Sequence, residues 1–414
     1  MTIYDLINGI SSGEFDHQLK AMYGSSERNI MKNRARYLSA AENFSRLYPE
    51  SVEIKVFSAG GAVEIGGGFT KRQGGRVLAA AIDADVIAIA AHNGMNKINF
   101  ASDNSESFTI DLDTKSAQGM EASVIKAVLT AASENGIDCK GFDVYVSSAI
   151  PNDNVISMTA PLEVLISAVI CGLSGDKEIV PLEVAELGRK ADVILTGKND
   201  LTESHEVCAL GGFVLAENCC ASASDYRKIS FDFAGTGYSL CITSVGSSVK
   251  YDELDDGMDH VAREINVSVL GEADEVEFFE NISSLREKCS THELLNAVCF
   301  FDEINCIAEQ SEALENGDTE SFFKLINQSE DSLSRVLVGY SDSSKYEFPL
   351  AVLMGRKILA GSGAIRSGSG IVTAFVPNYL AETYCSEMNR VYGNKSCSMF
   401  DIRFEGICEL KKVT

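Results

Sequence analysis

Ser58–Ala80 reads SAGGAVEIGGGFTKRQGGRVLAA, a glycine-rich stretch between two apolar, strand-like segments, Val52–Phe57 and Arg76–Ile82. Glycine frees the backbone, and a loop of this build lets it come close to another group; what it approaches here is the question. This one is poor in the charged and hydroxyl side chains that carry chemistry beside such glycines.

Outward from the loop, strands and helices alternate without strict β-α-β order. Residues 1–48 read as two helices, with Ile30, Leu38, Ala41, Phe44 and Leu47 at near-helical spacing. Val86–Ala91, Phe108–Leu112, Gly141–Ser148 and Tyr238–Val245 read as further strands. Helices are expected over Ala117–Asn135, the very apolar Thr159–Gly172, Pro181–Ile194, most of Asp252–Leu359, and Asn378–Gly393. The pattern predicts an α+β fold in two halves, placed at residues 1–222 and 223–414, the first with a helical extension at its start.

The chain has 414 residues and a formal charge of −25. That charge repels nucleic acid and anionic membrane, so neither is expected as a partner. No run of about 18 apolar residues exists, so no transmembrane helix is expected. The N-terminal segment lacks the pattern of a secretory signal, and the expectation is a cytoplasmic protein. The 12 cysteines form no C-x-x-C pair, and the five histidines do not cluster. The cysteines read as small buried hydrophobes rather than metal ligands or disulfides.

Common nucleotide and hydrolase motifs are absent. "TGKND" has a Gly-Lys pair without the rest of a phosphate loop, and "GSGAIR" and "GSGIVT" both fail as G-x-G-x-x-G at the last position.

Four segments in order are more specific: GRVLAA (Gly75–Ala80), GFDVYVSS (Gly141–Ser148), FDFAGTGYSLCI (Phe231–Ile242) and AFVPNYLAETYCSEMNRVYG (Ala374–Gly393). Through them the chain resembles bacterial galactokinases of the GHMP small-molecule kinase superfamily, almost end to end. The resemblance implies a two-domain α+β GHMP-kinase fold, with an S5-like N-terminal domain, a C-terminal α/β domain and a cleft between them. It also implies phosphoryl transfer from Mg-ATP to galactose.

The site residues that the resemblance implies are mostly replaced. The family's first motif, A-P-G-R-x-x-x-I-G-x-H-T-D, falls on AGGAVEIGGGFTK, so its arginine is Ala62. Its sugar-reading positions become Gly68, Phe69 and Lys71. The phosphate loop falls on DNVISMTAPLEV (Asp153–Val164). Asp153 and Val155 replace its glycines, Met158 its middle serine, and Pro161 removes an N–H near the helix start. Ser157 and Thr159 survive as nucleotide-side hydroxyls, and Ser157 with Asp192 stands where the family holds magnesium. The catalytic aspartate falls at Ser204, followed by His205, and a sugar-contacting tyrosine falls at Gly257. The last glycine motif has shrunk to RSGSG (Arg366–Gly370).

Phosphoryl transfer rests on positioning and electrostatic stabilisation, so losing the arginine and the carboxylate together predicts an impaired or inactive galactokinase-like protein that acts as a regulator or by binding a partner, a protein among the candidates. One alternative is an active sugar or small-molecule kinase of changed substrate. There His205, Glu203 or Glu206 is the base and Lys71 reads the ligand. Another is a non-catalytic small-molecule binder with Phe69 as an apolar floor.

Overall fold

A computed structural model describes residues 1–114, 118–151, 156–175, 179–198, 203–219, 225–246, 252–337, 346–368 and 370–412. Two compact units interleave along the chain. The first comprises Met1–Val63, Ala81–Gly212 and Arg403–Thr414, and the second Glu64–Ala80 and Phe213–Ile402. Where the sequence reading draws one boundary after residue 222, the chain passes between units several times. The physical reason is that the strands β1 (Lys55–Gly66) and β2 (Val77–His92) are each long enough to serve both units.

In the first unit, three helices precede β1: α1 (Ile3–Ser12), α2 (Asp16–Tyr23) and α3 (Glu27–Leu47). The sequence reading had two. Gly13, at φ +85°, ends α1 in the left-handed conformation that glycine favours, which splits the first helix from the second. These helices bury Leu6, Phe15, Leu19, Tyr37 and Phe44 against Val56, Ile87, Ile89 and Tyr145 of the sheet.

β3 (Lys97–Ser102), β4 (Phe108–Asp111), α4 (Met120–Glu134), β5 (Phe142–Ser148), α5 (Thr159–Ser174), α6 (Pro181–Thr196) and α7 (Ser204–Leu210) follow. Across this unit the strand order is β12-β1-β2-β5-β3-β4, where β12 is Cys408–Glu409. The β3–β5 pair is parallel (Ile98↔Phe142), and β2–β5 is antiparallel (Val86↔Ser148).

The sequence suggested two strands where β2 runs unbroken, because Asp83 and Asp85 interrupt its apolar run. Asp85 is fully buried yet stays in the strand because it is paired. Its carboxylate accepts from Tyr23 Oη (2.5 Å), Ser58 Oγ (2.5 Å) and Arg403 Nη1 (2.9 Å), and from Arg36 Nη2. Burial pushes the Asp85 carboxyl up, but Arg36 and Arg403 outweigh it and hold the group below its ordinary range.

In the second unit, Val77–Ala80 of β2 pairs with β6 (Phe213–Glu217), which pairs with β7 (Asp225–Ile229). A separate antiparallel sheet has the order β11-β8-β10-β9, formed by β8 (Tyr238–Ser244), β9 (Ala364–Gly368), β10 (Ile371–Pro377) and β11 (Cys397–Phe400). Its helices are α8 (Asp252–Glu264), α9 (Glu275–Glu280), α10 (Ile282–Leu285), α11 (Thr291–Glu315), α12 (Thr319–Leu337), α13 (Glu347–Leu359) and α14 (Asn378–Tyr392). Phe348 and Val352 of α13 and Tyr384 and Met388 of α14 share a core with Val372, Ala374 and Val376 of β10. The two sheets with their helices are the mixed α/β architecture expected. Among the described residues, no helix is long and apolar enough to cross a membrane.

Candidate functional site

The glycine-rich loop is the end of β1, a 3₁₀ turn over Gly68–Gln73, and the start of β2. Gly67 turns the chain at φ +88°, and a Cβ there would lie 2.0 Å from the Arg76 carbonyl oxygen. Only glycine serves at that position.

The loop's polar groups are satisfied within the second unit. The Gly67 N–H donates to Glu303 Oε1 at 2.9 Å, and the Gly68 N–H to Glu64 Oε1 at 3.1 Å. Lys71 Nζ lies 3.4 Å from Glu64 Oε2, and Arg366 Nη1 lies 3.7 Å from Glu64 Oε1. The Lys71 ammonium therefore has an acid of its own loop as partner. Glu64 also fills the space beside Gly68: a Cβ there would fall 2.1 Å and 2.2 Å from its two carboxylate oxygens.

Phe69 is 2% exposed and packs with Met258, Leu270, Phe300 and Phe301. The ring is core filling, so it does not form the apolar floor of a binder, because burial leaves it no free face. Gly257 is a buried position of α8, where a Cβ would approach Asn296 Nδ2 and Glu293 Cγ at 3.4 Å each.

Arg366, first residue of the shortened RSGSG motif, is 2% exposed. It donates to Glu303 Oε1 (2.8 Å), Ser329 Oγ (2.8 Å) and the Ile65 carbonyl oxygen (3.3 Å). It therefore cross-links α11, α12, β9 and the end of β1. Glu303 and Ser329 were not singled out from the sequence. The available signal was the pair Asp302–Glu303 in the otherwise apolar run AVCFFDEI.

The other candidate positions lie in the first unit. Ala62 is half-buried on β1. Ser204 is the first residue of α7, half-buried, with Glu203, His205 and Glu206 buried beside it. His205 is not an exposed base: it is 2% exposed, and its Nε2 sits 2.7 Å from Oε2 of the fully buried Glu163 on α5. Burial pushes the Glu163 carboxyl up, against the opposing pull of His205. Glu206 is likewise raised by burial, with Arg189 3.8 Å away. None of the three acid–base candidates next to Ser204 is exposed. Glu163 was not singled out, although it is the one acid in the apolar Thr159–Gly172 run.

At the start of α5, Asp153 and Val155 lie outside the described residues. Ser157 is exposed, and its Oγ accepts the Thr159 N–H at 3.3 Å. Met158, at the helix cap, makes no side-chain hydrogen bond, and Pro161 is buried in the first turn. Asp192 is half-buried on α6, near enough to Glu163 to add to the upward push on its carboxyl. A hydroxyl and a carboxylate are suited to Mg²⁺, which prefers oxygen ligands and keeps several waters.

Residues 42–92, which contain the glycine-rich loop, match the galactokinase galactose-binding signature. The chain is 25% identical over 308 residues to a galactokinase of Staphylococcus carnosus, covering 71% of this chain and 78% of the relative. The crystal structure of Lactococcus lactis galactokinase complexed with galactose superposes with a TM-score of 0.70 at 19% identity, covering 91% of this chain and all (100%) of that one. Methanococcus jannaschii mevalonate kinase gives a TM-score of 0.59 at 17% identity, over 84% of this chain and 98% of that one.

Proposed function

The chain is a divergent relative of the galactokinases, with the GHMP-kinase fold, and from that premise we propose that it is a galactokinase-like protein of impaired or absent catalysis, acting by binding or regulation. The observation that carries this reading is the filling of the sugar-reading loop by Glu64. Its carboxylate occupies the space a side chain at position 68 would need and engages the Gly68 N–H, Lys71 and Arg366. Two further replacements support it. Ala62 supplies no guanidinium for a transferring phosphoryl group, and Ser204 supplies no carboxylate to orient or deprotonate a sugar hydroxyl. Losing an arginine that stabilises the transferring group costs about 10³–10⁵ in rate, and losing an acid–base group about 10²–10⁴. These effects do not multiply within one site.

ATP and Mg²⁺ belong to the proposal through the family alone. Ser157 and Asp192 would hold the ion, and the ion would neutralise phosphate charge. Thr159 and the start of α5 would face the nucleotide.

The test has two parts. Galactose 1-phosphate is measured after incubation with Mg-ATP and galactose, and thermal unfolding is followed with each ligand alone. The expected result is product at the enzyme-free rate and no midpoint shift with galactose. Product well above background would overturn the proposal. A ligand that binds only the folded state at 100 times its Kd stabilises by about 2.7 kcal/mol, which a melting curve resolves. A shift with Mg-ATP but without product would identify a nucleotide-binding regulator. A shift together with transfer to another sugar or small molecule would establish a kinase of changed substrate.

A further inference from the structure

His260 on α8, Cys289 just before α11 and Glu293 in the first turn of α11 bring an imidazole nitrogen, a thiol sulfur and a carboxylate oxygen within 4.8 Å of one another. From this cluster we propose that the protein binds one Zn²⁺ through His260, Cys289 and Glu293, with water completing the shell.

The donor set argues for zinc. Thiolate and imidazole select borderline-soft ions, whereas Mg²⁺ and Ca²⁺ take oxygen ligands. Bond lengths of about 2.0–2.3 Å place the donors of a tetrahedral site about 3.3–3.8 Å apart; here all three lie within 4.8 Å of one another and His260 Nδ1 and Glu293 Oε1 are 2.9 Å apart, so small side-chain rotations complete it. The cluster straddles two helices packed side by side, and His260 and Glu293 are half-buried, so an ion has a path in.

The carboxylate is already aimed. Glu293 Oε2 accepts the Ser290 N–H at 2.7 Å in a capping box, which leaves Oε1 toward His260 Nδ1 at 2.9 Å. An outer hydrogen bond of this kind fixes the orientation of a metal ligand. On binding, the Cys289 thiol gives its proton to solvent and the sulfur becomes the ligand; the His260–Glu293 hydrogen bond is exchanged for two bonds to the ion.

A second observation points to the same place. Asn296, one turn beyond Glu293, is 1% exposed, and neither its Oδ1 nor its Nδ2 has a hydrogen-bond partner. Its Nδ2 and the Glu293 Cγ both lie 3.4 Å from where a Cβ on Gly257 would stand, so the amide faces α8 one turn before His260. A buried carboxamide without partners calls for a polar occupant nearby. A water bound to the ion would supply one. The site lies outside the loop and helix starts discussed above, and stands whether or not the protein transfers phosphate.

The experiment uses the full chain, stripped with chelator and titrated with Zn²⁺, then with Co²⁺ as a spectroscopic probe. The expected result is one ion per chain, a near-ultraviolet sulfur-to-cobalt band, and protection of Cys289 from alkylation when zinc is present, read by peptide mass spectrometry. Cys289→Ser should abolish the band. His260→Gln, at a half-buried surface, and Glu293→Gln should each weaken binding at least about tenfold. Binding with unchanged stoichiometry and band in Cys289→Ser, or no zinc retained by the wild-type chain, overturns the assignment.

Discussion

Gly68→Ala tests the claim that Glu64 occupies the place of a sugar-reading side chain. The backbone at this position lies outside the left-handed region, so the added methyl brings no φ strain. Its cost is steric. The new Cβ would fall 2.1 Å, 2.2 Å and 2.4 Å from Oε1, Oε2 and Cδ of Glu64, so the carboxylate must leave. In leaving, it gives up the Gly68 N–H at 3.1 Å and Lys71 at 3.4 Å. A hydrogen bond to a charged group contributes about 1.5–3 kcal/mol, and the Lys71 pair, whose side chains are 20% and 9% exposed, adds to it. The variant should lose about 2–3 kcal/mol in urea denaturation followed by circular dichroism. Glu64→Ala should lose a similar amount by deleting the same contacts. The double variant should cost little more than Glu64→Ala alone, because the methyl enters vacated space, giving a coupling of about 2 kcal/mol. Additive costs, or a silent Gly68→Ala, would refute the steric argument and with it the main support for a closed sugar-reading loop.

Arg403→Met leaves Asp85 buried with fewer partners and should cost about 3–5 kcal/mol by denaturation. Because the folded-state pKa of Asp85 is lowered, its contribution is present above the unfolded value of about 4 and lost as pH falls below it. Asp85→Asn should therefore show a shallower loss of stability between about pH 5 and pH 3 than wild type. Glu163 has the opposite sign: its folded-state pKa is raised, so stability falls as pH rises through that value. His205→Ala removes the partner that limits the rise, and its deficit against wild type should grow from about pH 5 to pH 8 in parallel thermal melts. Restoring charge alone should not restore catalysis. Ala62→Arg combined with Ser204→Asp is expected to release no ADP above background with galactose, and clear turnover would show that the loop still reads sugar.

Most of the architecture was legible because apolar period and turn residues act locally. The strands of Gly141–Ser148 and Tyr238–Val245 and the helix following Pro377 fall where the pattern places them. The failures have a common cause. The unbroken β2 and the merged pair of helices before β1 depended on a partner or on one residue's conformation: Asp85 reads as a strand breaker until Arg403 is seen beside it, and Gly13 as an ordinary helix glycine until its φ is known. The same holds at the candidate site. The family resemblance implied that side chains are replaced at positions 62, 68 and 204. It did not show that Glu64 fills the gap or that His205 faces Glu163, because those contacts join residues with no sequence relation.

The ion cluster around Asp85 also sets an order of events during synthesis. Arg403 emerges from the ribosome 318 residues after Asp85. A nascent chain that has reached residue 222 holds the carboxylate and Arg36 but neither Arg403 nor β12, the edge strand beside β1. Closing so long a loop is slow, and an apolar core with a half-built charge centre and an open strand edge is prone to mispairing while it waits. The first unit therefore completes only after the second has been made, and the strand edge beside β1 stays open until the last strand arrives.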